Sequence, residues 1–319
     1  MLLDITCTNN CNLHCSYCSE GQHRKGVFKA DRDTLFEFIK KFDSIGFWGG
    51  EPLLNLKLIE DITSEFPDLK YMIYTNGTLI KRYIKRLKAL KGKILVQVSY
   101  DGSGINDLRG STSEGIKEAL RLLKDAGIES TIKSTVTPER FGDLYDAFLD
   151  ILSIGSGYFP TPDCFHTYDA DKWSEYYTAL KTSLLKIARY IKEHNLSPDV
   201  FRWFTADKSI CGLGKNYFTL DVKADVYPCH SAIYHPDLRI GSIYDVDIDQ
   251  KLKASKEQYS ALSFSDCDGC DAAFCLRCPV GMYGRNGSKD LSAVNQDMCR
   301  VFKLSDKIYR ALMQAKAQG

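Results

Sequence analysis

Three cysteines, Cys11, Cys15 and Cys18, stand within eight residues, a few positions after a short apolar run, Leu2 to Ile5. The apolar run reads as a strand, so the cysteines fall on the loop that follows it. Their C-x3-C-x2-C spacing lets three thiolates bind three irons of a 4Fe–4S cluster and leaves the fourth iron open to a ligand from elsewhere. The rest of the chain therefore has to be a scaffold that carries such a loop.

The pattern beyond the loop supplies one. Apolar residues at helical spacing between Asp31 and Phe42 predict a helix capped by Asp31 or Asp33. Ser44 to Trp48 is a short strand ending in Gly49-Gly50-Glu51-Pro52. Leu56 to Phe66 reads as a helix, Leu69 to Thr75 as a strand closed by Asn76-Gly77, and Leu79 to Leu90 as a basic amphipathic helix. Ile94 to Tyr100 is a strand followed by Asp101-Gly102. Ser113 to Ala126 is a helix stopped by Gly127. Ile128 to Val136 is a β-branched strand, Glu139 to Leu152 a helix, Tyr158 to Pro160 a short sixth strand, and Lys172 to His194 a long helix. Six strands alternating with six helices mean βαβ units and a parallel sheet. The fold class is α/β, an open, partial (β/α)6 barrel of TIM type, because six units are too few for a closed barrel of eight. In parallel barrels the site forms at the C-terminal ends of the strands. The cysteine loop, the Gly49 segment, Thr75-Asn76-Gly77 and Ser99-Tyr100-Asp101-Gly102 all fall there.

After about residue 195 the composition changes. Asn216 to Asp221 and Asp225 to Cys229 read as a hairpin, followed by irregular cysteine-rich sequence and a terminal helix from Lys303. The division expected is a barrel over residues 1–195 and a small cysteine-rich domain over 196–319.

Of 319 residues, 44% are hydrophobic and 26% charged, with a net charge of +1. This is a globular composition without the electrostatic footprint of a nucleic-acid or membrane-surface partner. Lys81, Lys85 and Lys88 belong to the solvated face of a helix. No apolar stretch reaches membrane-spanning length and no signal peptide is visible, which points to the cytoplasm. In that reducing compartment, twelve cysteines favour metal over disulfides. Four precede residue 19, one is Cys164, and seven lie between Cys211 and Cys299. Cys7, the odd one upstream of the triad, reads as strand-end packing.

On Cys11-x3-Cys15-x2-Cys18, Tyr17 before the third cysteine, and Gly49-Gly50-Glu51-Pro52, the first 195 residues resemble the radical S-adenosylmethionine (SAM) enzymes. The resemblance implies that the open iron chelates SAM. Reductive cleavage then gives a 5′-deoxyadenosyl radical that takes a hydrogen atom from the substrate. It places Tyr17 near the adenine and Gly49, Gly50, Glu51 and Pro52 at the methionyl amino group, with Glu51 suited to that cation. Ser99 and Ser134 fall where many members contact the ribose or carboxylate, and Asn76 and Asp101 lie in the same ring of loops. The competing reading of the triad is a zinc site with His14 as fourth ligand.

The later cysteines resemble the SPASM extension, which holds two auxiliary 4Fe–4S clusters in peptide and protein maturases. The resemblance assigns Cys267, Cys270, Cys275 and Cys299 to the outer cluster and Cys211, Cys229 and Cys278 to the inner one, a ligand short. Ala224 replaces the pattern's Gly, which suggests a looser turn. The gaps after Cys270 and Cys275 are each a residue short. A zinc ribbon remains the alternative.

SPASM members mostly cross-link, epimerise or oxidise residues of a peptide or protein substrate. The barrel begins at residue 1, which suggests a separate leader-binding partner. An electron donor such as flavodoxin or ferredoxin is implied. The layout is most like that of sulfatase maturases, but His230 stands where those enzymes place an Asp base. His230 is thus a candidate base or a loop histidine, and Cys164 a candidate hydrogen-atom donor or a buried packing residue. Tyr158, Phe159, Phe165, Tyr168 and Trp173 lean toward a peptide-lined mouth. Competing functions are a radical dehydrogenase of a small molecule such as a sugar alcohol, and a non-enzymatic iron–sulfur or zinc protein.

Overall fold

The computed structural model describes residues 1–18, 25–90, 92–163, 168–204, 211–270, 272, 275, 278–283 and 288–317, with side chains up to residue 311 in the last segment. Cys164 lies outside the described residues.

Strands and helices alternate as the sequence predicts: β1 (Leu2–Thr8), α1 (Arg32–Ile39), β2 (Ser44–Gly49), α2 (Leu56–Glu65), β3 (Lys70–Thr75), α3 (Ile80–Lys88), β4 (Lys93–Ser99), α4 (Ser113–Asp125), β5 (Glu129–Val136), α5 (Leu144–Ser153), β6 (Pro160–Pro162) and α6 (Trp173–Glu193). Then follow β7 (Tyr217–Leu220), β8 (Asp225–Tyr227), β9 (Gly241–Ser242), α7 (Ile248–Ser260) and α8 (Gln296–Ala317). The chain folds into two compact units built from interleaved segments. One holds Met1–Ser99, Glu114–Thr131 and Gly212–Ser263; the other holds Tyr100–Ser113, Ile132–Cys211 and Phe264–Gly319.

In the first unit, β1, β2, β3 and β4 pair in parallel, in that order. On its other edge β1 pairs in parallel with β7, with Leu2 opposite Tyr217 and Asp4 opposite Thr219. The predicted hairpin of β7 and β8 is present, and its first strand extends the parallel sheet. Leu3, Ile5, Ile45, Phe47 and Ile73 are fully buried on one face. Asp31 caps α1 by accepting the Thr34 amide at 2.9 Å, which holds its carboxyl below the usual range. The basic helix α3 buries Ile80 and Leu87, while Arg86 forks onto Glu60 at 2.7 Å from each nitrogen and Lys81 meets Glu118. Its charges are a solvated face, as read from the sequence.

The second unit holds β5 from Ile132 on, paired with β6, together with α5, α6 and α8. Its core is aromatic: Tyr158, Phe148, Phe201, Trp203 and Phe204 are all buried, with Phe201 packed edge-on against Trp203 and Phe204.

Three boundaries and one whole helix differ from expectation. The sixth strand is Pro160–Pro162, and Tyr158 instead bridges to Phe201. The fifth helix begins at Leu144 after a 3-10 turn over Pro138–Asp143, because Gly142 weakens a helix there and Pro138 starts the tighter turn. The last helix starts at Gln296, seven residues before Lys303. The helix α7 was read as irregular sequence: its buried stripe is Ile248, Leu252, Ser255 and Tyr259, and the serine interrupts the apolar period. Tyr158 and Tyr168, expected at a substrate mouth, are core residues, 0% and 4% exposed; Phe165 lies outside the described residues.

Candidate functional site

The cysteine loop leaves the end of β1 and is bound to the loops beside it by backbone hydrogen bonds. Gly50 N–H donates to the Thr8 carbonyl at 2.8 Å and Glu51 N–H to the Asn10 carbonyl at 2.9 Å. This approach explains both glycines. A Cβ at Gly49 would lie 2.2 Å from the Thr8 oxygen, and one at Gly50 2.3 Å from the Asn10 oxygen; Gly49 also has φ +134°. Asn76, at the end of β3, clamps the same loop from the other side. Its Nδ2 donates to Asn12 Oδ1 at 2.9 Å and reaches Cys11 Sγ at 3.7 Å, and its Oδ1 accepts from the Thr78 amide at 3.0 Å.

Cys11, Cys15, Cys18 and Tyr17 are half-buried on this loop, and His14 is exposed. The Leu13 amide points at Cys11 Sγ from 3.4 Å, so the sulfur faces two N–H donors. Donors to sulfur are what an iron-bound thiolate needs to spread its charge, and the residues present fit a cluster at this loop. Among the described residues, no three His, Cys, Asp or Glu side chains already stand as a metal-holding group. None of the described cysteines forms a disulfide. Cys7 is fully buried, and burial pushes its thiol up, in keeping with a packing role.

Three of the residues expected at SAM make hydrogen bonds within the protein. The fully buried Glu51 carboxylate accepts from Thr75 Oγ1, the Asn76 amide and the Leu53 amide, and organises the loop. Burial pushes that carboxyl up to about 7 against these three donors. Pro52 is buried behind it at the start of a 3-10 turn. In the second unit Asp101 spends both oxygens on Arg109, at 2.7 and 2.9 Å, and accepts the Thr135 amide at 2.7 Å. It is a buried structural ion pair. Ser134 is fully buried and donates to the Tyr100 carbonyl at 2.5 Å. Its hydroxyl is committed to that carbonyl. Ser99 ends β4, half-buried.

His230 opens a 3-10 turn directly after buried Cys229. Its ring lies 4.3 Å from that of Trp48, and its Nδ1 is 2.5 Å from the Tyr217 hydroxyl. Tyr217 in turn donates to Asp4 Oδ2 at 2.6 Å. Asp4, Tyr217 and Trp48 were missed from the sequence. The available signal was Asp4 itself, an ionisable residue inside an otherwise apolar strand. The turn before Cys229 is not loosened by Ala224: the residue adopts φ +66°, fully buried, and the Asp221 carboxylate caps the turn by accepting the Lys223 and Asp225 amides at 2.8 and 2.9 Å.

In the second unit a pocket is lined by Cys267, Cys275, Cys278 and Cys299, together with Phe264 and Met298. Cys270 is near enough that it and Cys267 add to the burial that raises the Cys299 thiol. Cys211 is half-buried in the same unit.

The radical SAM superfamily model matches residues 5–150. Over these residues the chain is similar to the radical SAM superfamily. That likeness implies a SAM-binding 4Fe–4S cluster and SAM itself. An uncharacterized protein of Methanocaldococcus jannaschii is 33% identical over 48% of this chain and 59% of its own length. An AdoMet-dependent heme synthase of Nitratidesulfovibrio vulgaris is 30% identical over 44% of this chain and 42% of its own. A GTP 3′,8-cyclase of Clostridium perfringens is 28% identical over 48% and 50%. The chain thus spans about half the length of the curated relatives it matches. Among solved structures, anSMEcpe with bound AdoMet and the Cp18Cys peptide matches over 99% of both chains with a TM-score of 0.73 at 20% identity. Streptococcus suis SuiB bound to precursor peptide SuiA matches 90% of this chain and 73% of its own, with a TM-score of 0.61 at 14% identity. The fold is mixed α/β with a parallel sheet core resembling the radical SAM partial barrel.

Proposed function

We propose that this chain is a radical SAM maturase that abstracts hydrogen from a peptide or protein side chain, giving a cross-link, an epimerised residue or an oxidised one. The observation that carries the reading is the full-length fold likeness to anSMEcpe with bound AdoMet and a peptide. It extends beyond the radical SAM domain into the second cysteine region.

In this reading Cys11, Cys15 and Cys18 hold the first cluster, and Tyr17 and the Gly49–Pro52 segment shape the space for SAM. A cluster held there would supply the electron for reductive cleavage of SAM, and these residues would orient SAM against it. Asn76 and the Leu13 amide steady the Cys11 sulfur. Cys267, Cys270, Cys275 and Cys299 hold one auxiliary cluster and Cys211, Cys229 and Cys278 the other. His230 takes a proton from the substrate, in the place where sulfatase maturases use a carboxylate. The residues before 195 carry the first cluster and those after 195 the ligands of the auxiliary clusters, a flavodoxin or ferredoxin supplies electrons, and a separate partner presents any leader.

The relatives named for heme synthesis and GTP cyclisation support a second reading, a small-molecule substrate. Anaerobically reconstituted protein, given SAM and dithionite, decides the class: no 5′-deoxyadenosine would sink the radical SAM reading. Peptides encoded beside the gene, incubated with the same mixture, are expected to lose about two mass units or to take up deuterium from solvent; turnover of GTP or a sugar alcohol instead would favour the second reading. Iron content should reach about twelve per chain, at about four per cluster.

A further inference from the structure

In the first unit, a carboxylate sits where an apolar strand has no structural need of one. Asp4 lies in the middle of β1 and is 1% exposed. Burying such a group costs several kcal/mol unless it is paired, and here only one oxygen has a partner: Oδ2 takes the Tyr217 hydroxyl, while Oδ1 has none among the described residues. The sheet is nevertheless built around it. Gly46 stands opposite Asp4 in register on β2, and a Cβ there would fall 1.8 Å from Asp4 Oδ1. Any other residue at 46 would evict the carboxylate. The neighbouring strand β7 begins with Tyr217, whose oxygen lies between Asp4 Oδ2 at 2.6 Å and His230 Nδ1 at 2.5 Å. Trp48, two residues beyond Gly46, packs its ring against that of His230 at 4.3 Å and 32°, and Tyr74 on β3 packs edge-on against Trp48 at 4.8 Å. Four strands thus converge on one imidazole.

A tyrosine hydroxyl carries one hydrogen and can give it to one neighbour only. Burial keeps that hydrogen in place, since it pushes Tyr217 well above its usual range. The ionised carboxylate is the stronger acceptor, and a hydrogen bond to a charged group is worth about twice a neutral one. With the hydrogen given to Asp4, the Tyr217 oxygen offers a lone pair to the ring. His230 must then bring a hydrogen on Nδ1, and its lone pair is on Nε2.

We propose that Asp4 is a positioning residue: acting through the Tyr217 hydroxyl, it holds the ring proton of His230 on Nδ1 and so leaves the ring's lone pair on Nε2. The proposal rests on the reading of His230 as the base given above. It differs from a merely structural Asp4–Tyr217 pair, which would place no demand on the tautomer of His230.

The test is 15N NMR of the reconstituted full-length chain labelled in its histidines, at pH 8.5, above the value of about 7 to which burial pushes the Asp4 carboxyl against its hydrogen bond from Tyr217. The His230 signals are those that vanish in His230→Gln. The expected wild-type spectrum has a protonated Nδ1 and an unprotonated Nε2. In Asp4→Leu the Tyr217 hydroxyl has the ring as its remaining acceptor, so the two nitrogens exchange roles. Tyr217→Phe removes the bridge and also abolishes the Nδ1–H preference, which keeps the test available if Asp4→Leu fails to fold. A wild-type ring already protonated on Nε2, or a pattern unchanged in both variants, would overturn the proposal. 5′-Deoxyadenosine formation is measured on the same samples. Its absence from wild type condemns the maturase reading without touching the tautomer result.

Discussion

The two cysteine regions are built in opposite ways. The loop holding Cys11, Cys15 and Cys18 is fastened by hydrogen bonds that cross long stretches of sequence: Gly50 and Glu51 to the Thr8 and Asn10 carbonyls, and Asn76 to Asn12. Between Phe264 and Cys278, among the described residues, two cysteine amides close local turns, Cys267 to the Phe264 carbonyl and Cys270 to the Cys267 carbonyl. Cys299 alone sits on a helix. The first loop draws its shape from the strands around it. Among the described residues, the second has short 3-10 turns over Ser265–Cys267 and Pro279–Gly281 beside its cysteines, the kind of site in which metal binding and folding are coupled.

The sharpest way to break this comparison is to remove the metal. After anaerobic chelation, amide hydrogen exchange over residues 264–283 should speed up at least about tenfold more than over residues 5–13, because binding energy there is folding energy. Equal acceleration in both would erase the difference.

The next effect concerns Asp101, the carboxylate that the ring of loops led us to expect at SAM. Asp101→Asn leaves Arg109 buried without its charge partner and should cost about 3–5 kcal/mol in denaturant unfolding. SAM affinity of the folded fraction, read by equilibrium dialysis, should stay within about twofold. A selective loss of SAM binding would return Asp101 to the cofactor.

Glu51 gives a pH signature to the first region. Its folded pKa is raised from 4.5 to about 7 by burial. A raised acid contributes stability that is complete below the unfolded value and is lost as pH rises through the folded one. Wild type should therefore lose about 2–3 kcal/mol relative to Glu51→Gln between pH 5 and pH 8. Parallel stability curves for the two proteins would mean that the carboxylate is already ionised on its three donors.

The smallest effect is expected at Asn76. Asn76→Ala removes a clamp worth about 1–2 kcal/mol and one N–H donor from Cys11. The midpoint potential of the first cluster should fall, as measured by redox titration followed by EPR. An unchanged potential would reduce Asn76 to a loop tie.

Much of the first region was legible in the sequence. The alternation of period-2 and period-3.6 patterns gave the six βα units, and the cysteine spacing marked the loop, because both are short-range properties of the chain. The purpose of Gly49 and Gly50 was legible only in part: glycine signals a close approach but not its partner, which proved to be the backbone of Thr8 and Asn10. Glu51, Asp101 and Ser134 show the limit. Each is a polar residue at a strand end, where ligands bind, and each has its hydrogen-bonding capacity turned inward by residues distant in sequence. The helix α7 was hidden because a serine occupies a buried position of its stripe.

The sequence by itself determined the α/β alternation and the position of three thiolates after β1, since hydrophobic period and cysteine spacing are written in consecutive residues. The tertiary structure decided that Asp4, Gly46, Trp48, Tyr217 and His230 form one network, because strand register brings β7 beside β1 across more than 200 residues of chain.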